Sequence, residues 1–410
     1  MAATAGRVLT DLQLNRALLA RQLLLKRVRR PLPRVLDAVG GLQAQYAPSM
    51  YVGLWSRVDG FKRSSLTAAL ENRSVIQGTL MRATIHLVSA ADYWPFATAV
   101  RDVRRSWWLT ARRGQVTEDD MVAAARQLAP RLAEGPMSRM DIEAAVGREL
   151  GAGVGFWLDL VRVPPSGTWE RRRADSYALA SWWLAAGASP AADPAVAAAP
   201  AVAAERASPA AEPAVAAERA SPAAEPAVAA EPAVAAEPAV AAEPAVAAER
   251  AVAAERATEH LVRRYLGGFG PATANEVADW AGLPVGRILP ILRRLDLRHF
   301  EAEDGKHLFD LPRAPLPAPG TLAPVRFLPV WEALLLVHAR RKRVLAEEHR
   351  PILFTSKNPH SVNTFLVDGT VAGTWRYDNG QVDIEPFAPL AWAAEREVAQ
   401  EAERLAVFHQ

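Results

Sequence analysis

The chain has 410 residues, half of them hydrophobic and none of them cysteine, with a formal net charge of +3. Such a length accommodates roughly two to four domains, and the missing thiols exclude disulfides and thiolate metal sites and suit a reducing cytoplasm, where the protein is expected. No apolar run approaches the roughly 20 residues of a membrane span, and the start "MAATAGRVLT" lacks the apolar core of a signal peptide, so no membrane partner is expected.

In chain order, a first helix opens at Thr10, with Gln13 three residues on as in a capping box, and carries Leu14, Leu18, Leu19 and Leu25 as its apolar stripe. Pro33 starts a second helix that Gly40-Gly41 ends. The stretch "GLQAQY" (41–46) follows, with two neutral amides flanking a small apolar residue. "APSMYVGLWSRV" reads as a third helix and Ser65 heads another. "VIQGTLMRATIHLV" (75–88) is β-like, with a turn expected near Gly78. Helices followed by a hairpin are the layout of a winged helix-turn-helix.

The layout recurs. Ser138 and Asp141 cap a helix toward Val146, "FWLDLVRV" follows as a helix or a strand, and "PPSGTWERRR" reads as a loop and wing. After a long insert, "EHLVRRYLGGFG" is a helix with a glycine stop and Thr273 with Glu276 forms a capping box. "PVGRILPILRRLD" is the second helix of the turn, and "LRHFEAEDGKHLFDL" a hairpin turning at Asp304-Gly305. From Leu322 the chain alternates strands before a final helix rich in Ala, Glu and Arg.

The insert repeats Pro-Ala-Val-Ala-Ala-Glu from Pro200 through Glu249. A proline every sixth residue removes donors and clashes with the preceding turn, so an extended or fluctuating spacer is expected rather than a helix. From Pro190 to Arg256, ten acidic residues face four basic ones, a net −6 that leaves +9 on the rest of the chain.

The expected fold class is therefore mainly α with small β elements: tandem winged helix-turn-helix motifs plus a C-terminal β-rich unit. The expected domains are a first winged-helix region with the Gln-x-Gln motif (1–114), a second (115–187), the Ala/Pro/Glu spacer (188–256), a third winged helix (257–318) and the β-rich unit with its terminal helix (319–410). Tandem winged helices on a basic body make double-stranded DNA the expected partner. Arg171, Arg172, Arg287, Arg293, Arg294, Arg340 and Arg341 are the candidate phosphate contacts. The helix at 284–296 is largely apolar and contains Pro290, which favours recognition of shape or damage over an operator sequence.

Conventional catalytic constellations are scarce: there is no phosphate loop, no H-E-x-x-H zinc motif and no Ser-His-Asp spacing. The blocks "LNRALLARQLLL", "GLQAQ" with "LWSR", "LMRATIHLVSAADYW", "PPSGTWERRRAD", "RRYLGGFGPATANEVADWAGL", "FLPVWEALLL" and "TFLVDGTVAGTWR" are together similar to the AlkZ/YcaQ family of winged-helix DNA glycosylases. That family acts on N7-alkylguanine, including bulky adducts and interstrand crosslinks. The resemblance spans nearly the whole chain except the spacer.

The resemblance implies that Gln43 and Gln45 form the family's Gln-x-Gln catalytic motif, around Ala44, and that Thr84 and His86 form its T-x-H motif. It implies an enzyme that hydrolyses the N-glycosidic bond of N7-alkylated guanine, with DNA carrying that damage as partner and no metal or other cofactor. The chemistry is coherent: alkylation at N7 makes guanine cationic, so departure needs little acid help and what remains is to position a water. A glutamine amide offers an acceptor oxygen and two donors for that task. Trp55, Arg57, Trp94 and Trp107 are expected to pack and cap. Glu332 stands where the family pattern has Asp, Trp331 replaces the aromatic before it, and "TSKNPHSVNTF" is longer than the family loop. No lysine is placed for a Schiff base, so strand cleavage is not expected, and monomer is the default state. The alternatives are a non-catalytic winged-helix DNA-binding protein or transcription regulator, and a protein that sequesters damaged DNA or drug.

Overall fold

The computed structural model describes residues 7–173, 175–185, 242–336, 341–354 and 362–410. Most of the repeat, Arg340 and the 355–361 part of "TSKNPHSVNTF" lie outside the described residues. Residues 1–188 and 251–410 form one compact unit and residues 189–250 another; of the second, only the start of a helix is described.

A short strand β1 (Arg7–Leu9) leads to helix α1 (Asp11–Arg21), whose N-cap Thr10 accepts from the Gln13 amide at 3.1 Å. The helix is buried on nearly every side and its polar residues anchor it. Arg21 pairs with Asp310 at 2.6 Å, both side chains fully buried, and Arg16 pairs with Asp368 at 2.6 Å. Helix α2 (Leu32–Val39), strand β2 (Leu42–Gln43), helices α3 (Ala47–Trp55) and α4 (Arg63–Glu71) and the hairpin β3 (Val75–Thr79) and β4 (Ile85–Ser89) make the first winged helix. Gly78 lies inside β3, and the hairpin turns at Leu80–Thr84 instead. The glycine answers a close contact: a Cβ there would meet the Tyr93 ring at 2.7 Å.

Helix α5 (Ala90–Ala111) connects to the second motif. That motif comprises α6 (Glu118–Glu134), β5 (Met137–Ser138), α7 (Arg139–Val146), α8 (Arg148–Gly153), α9 (Gly155–Leu158), β6 (Leu160–Arg162), β7 (Ser176–Leu179) and α10 (Ala180–Ala185). "FWLDLVRV" is thus both helix and strand, split at Asp159, which adopts a left-handed backbone. The two wings share one six-stranded sheet in the order β2-β4-β3-β6-β7-β5, because β3 pairs antiparallel with β6 at Gln77–Arg162 and Gly78–Val161.

Helix α11 runs from Ala242 to Phe269, so it takes in the end of the repeat. Pro244 is the last proline before it clears, and a proline in the first turn removes no intrahelical bond. The third winged helix continues through α12 (Ala274–Ala281), opened by the Thr273–Glu276 capping box, α13 (Val285–Arg294), and the hairpin β8 (Arg298–Ala302) and β9 (His307–Asp310), to which β1 adds a parallel edge. Strands β10 (Arg326–Leu328), β11 (Thr364–Val367), β12 (Thr370–Asp378) and β13 (Gln381–Pro386) form a four-stranded antiparallel sheet. With the short α14 (Arg350–Leu353) and the terminal α15 (Trp392–His409) it completes the chain. The fold is mainly α with small sheets, tandem winged-helix motifs and a C-terminal β unit.

Candidate functional site

The Gly40-Gly41 pair sets the amides in place. Both glycines have positive φ, +77° and +82°, and a Cβ on Gly41 would meet Val88 at 2.9 Å. Only glycine reverses the chain there and lets β2 lie against β4. In that pairing Gln43 stands opposite His86, which stands opposite Gly78 on the other side, so Gln43 and His86 share a face of the sheet. Ala44 is buried in the hydrophobic core and donates its N–H to the Ile85 carbonyl at 2.7 Å, which explains the small apolar residue between the amides.

Each amide oxygen is held by a group that can only donate. Arg82 Nη2 donates to Gln43 Oε1 at 3.1 Å, and the Ile85 backbone N–H donates to Gln45 Oε1 at 3.3 Å. Since neither partner accepts, both glutamines have one orientation, and each oxygen keeps a second lone pair. Gln43 is buried and Gln45 exposed at the sheet edge.

His86 is 2% exposed, and its Nδ1–H donates to the Thr84 carbonyl at 3.0 Å. Burial, with the nearby Arg82 charge, drives its pKa down to about 3, so the ring is neutral and Nε2 is an acceptor. The Thr84 hydroxyl donates back to the Met81 carbonyl at 3.0 Å, closing the hairpin turn. Thr84 thus reaches His86 through its backbone and the amides not at all. Among the described residues no carboxylate hydrogen-bonds to any of these four side chains, and no cluster of three or more metal-ligating residues occurs.

Arg82 was not singled out from the sequence, yet it is the hub of the site. It and Ala83 adopt left-handed backbones, with φ of 53° and 54°, a conformation that bulky residues rarely take. Its Nη1 donates to the Trp280 carbonyl at the end of α12, and burial lowers its pKa to about 10. The sole sequence signal for it was a basic residue between two apolar strand runs.

A family model for AlkZ-like DNA glycosylases matches residues 36–408. The chain belongs to that family. As an AlkZ-like DNA glycosylase it is a DNA-binding hydrolase of DNA repair. Among solved structures it is similar to the Streptomyces sahachiroi DNA glycosylase AlkZ, with a TM-score of 0.69 and 17% identity over 98% of this chain and 96% of that one. No curated protein matches.

The remaining candidates of this AlkZ-like glycosylase divide by environment. Arg172 is exposed and donates to the Tyr46 hydroxyl at 3.3 Å, beside Gln45, while Arg171 pairs with Asp175 at 3.4 Å. Arg287 and Arg293 are exposed on α13, whereas Arg294 is engaged by Glu255 and Glu259. The Arg341 side chain, like all of Arg340, is outside the described residues. Trp55 and Arg57 are buried as expected, and Arg57 forms a two-pronged pair with Glu332 at 2.8 and 3.2 Å. Trp94 and Trp107 are 37% and 52% exposed; Trp94 meets the Tyr93 ring, and Trp107 meets those of Trp108 and Phe156. No helix among the described residues is long and apolar enough to cross a membrane.

Proposed function

We propose that the protein hydrolyses the N-glycosidic bond of N7-alkylated guanine in DNA, bulky or crosslinked adducts included, with Gln43 and Gln45 positioning the attacking water. The observation that carries this is the pair of amide oxygens turned by obligatory donors, beside a neutral imidazole and with no carboxylate hydrogen-bonded to them among the described residues. Such a set orients water well and protonates a leaving group poorly. It suits a base that is already cationic. The water oxygen bonds to C1′, the C1′–N9 pair returns to the ring and neutralises it, and the water's proton passes to solvent.

Gln45, exposed at the sheet edge, is the amide that meets the water and sugar, and Gln43 supports it. His86, with Nδ1–H committed to Thr84, offers only an acceptor and so fits a water contact, not a phosphate. Arg171, Arg172, Arg287 and Arg293, with Arg294, Arg340 and Arg341, supply the backbone contacts. An edge position leaves room for a large adduct beside the reacting bond. A monomer is the proposed state, and the absence of cysteine fits a cytoplasmic setting. Release of N7-methylguanine from a duplex by the wild type, compared with Gln45→Ala, tests the assignment.

A further inference from the structure

A cavity of about 310 Å³ opens between the shared sheet and helices α5, α7, α8 and α9. Its sheet wall follows from the register. Thr79 pairs with Ile85, Arg162 with Tyr177, and Arg162 also with Gln77, so Thr79, Ile85, Arg162 and Tyr177 leave one face of the sheet. His86 and Gln43 leave the other. Ile85 joins the two: its side chain lines the cavity while its N–H holds Gln45 at the edge.

The opposite wall is aromatic. Trp107 stands 52% exposed and meets Phe156 edge-on, with centroids 6.2 Å apart and planes at 87°. The sheet wall supplies one cation. Arg162 is half-buried and hydrogen-bonded to Tyr177, and among the described residues no carboxylate pairs with it. A guanidinium partly withdrawn from water without a counter-charge favours an incoming acceptor. The space thus combines a ring to stack on with a donor at the edge, one strand away from an exposed catalytic candidate.

We propose that this cavity binds a flat aromatic group carried by the damaged nucleotide, stacked on Trp107 and Phe156 and accepting a hydrogen bond from Arg162. The inference rests on the reading that Gln45 marks the reacting centre. The group is either a ring on the alkyl arm or the guanine itself, and the two are separable.

The test measures duplex binding for lesions built on 2′-fluoro nucleotides, which resist glycosidic cleavage, so no turnover is needed and failure of the catalytic reading shows separately as absent excision of the ordinary lesion. The probes are N7-methylguanine, N7-(4-acetylbenzyl)guanine, whose benzyl arm carries a carbonyl acceptor, and undamaged duplexes, with wild type, Trp107→Leu and Arg162→Gln. Trp107 is half in solvent, so its replacement leaves the fold intact, which thermal melting checks. Both variants are expected to lose about tenfold in lesion affinity, the scale of one base–aromatic stack, with undamaged DNA unaffected. Loss confined to the benzyl lesion places the arm in the cavity, and equal loss on both lesions places the guanine there. Unchanged lesion binding, or an equal loss on undamaged duplex, overturns the proposal.

Discussion

Arg82 Nη2 donates to Gln43 Oε1 at 3.1 Å, so a cation buried in the hairpin turn determines which way a candidate catalytic amide faces. Replacing Arg82 by Met removes the donor and lets the amide rotate. Loss of this alignment should slow single-turnover excision by about 100-fold, the usual scale of a small misplacement, with DNA affinity little changed. Equal losses in rate and affinity would instead make Arg82 a DNA contact.

Gly282 supports the same arginine. With φ +69° it is left-handed, and a Cβ there would lie 3.0 Å from the Arg82 backbone nitrogen. Gly282→Ala should therefore destabilise the fold by about 1 kcal/mol or more in denaturant melts and reduce excision, since the displaced group is backbone and cannot swing away.

His86 makes a pH prediction whose sign is fixed. Its pKa falls from 6.5 to about 3 on folding, so between these values the unfolded chain holds a proton that the folded chain does not. Stability contributed in this window is present above 6.5 and is lost on acidification. Relative to His86→Asn, the wild type should lose up to about 1.4 kcal/mol per pH unit across it. The excision rate should show no His86 inflection between about pH 5 and 8.

Much of the helical frame was legible because its signals are local. Thr10, Ser138 and Thr273 each cap the helix that follows, and the bond closing each cap spans three residues. Gly78 misled because a turn glycine and a close-contact glycine look alike until Tyr93 is placed. The sharing of one sheet by two wings depends on Gln77 meeting Arg162, which no local pattern encodes. The amides and His86 were visible through family resemblance. Arg82 was not, because the burial of an arginine depends on Gln43 and Trp280, far away in the chain.

The Arg57–Glu332 pair, both partners at most 2% exposed, ties the turn after α3 to the loop after β10. Glu332→Ala leaves a buried guanidinium without its counter-ion and should cost about 3–5 kcal/mol in chemical denaturation.

Arg287 and Arg293 are exposed on α13, while Arg294 is drawn into Glu255 and Glu259. Neutralising Arg287 and Arg293 together should flatten the dependence of log affinity on log salt by about 0.9 for each phosphate no longer neutralised by the protein. Arg294→Ala should change the slope less.

Participation of Gln45 in breaking the glycosidic bond to alkylated guanine is put to the test by base release from a duplex with a single N7-methylguanine. Wild type and Gln45→Ala are compared at matched DNA occupancy. The wild type should form abasic sites, and the variant should be slower by about 100-fold or more. Equal release by the two proteins would contradict the assignment of Gln45.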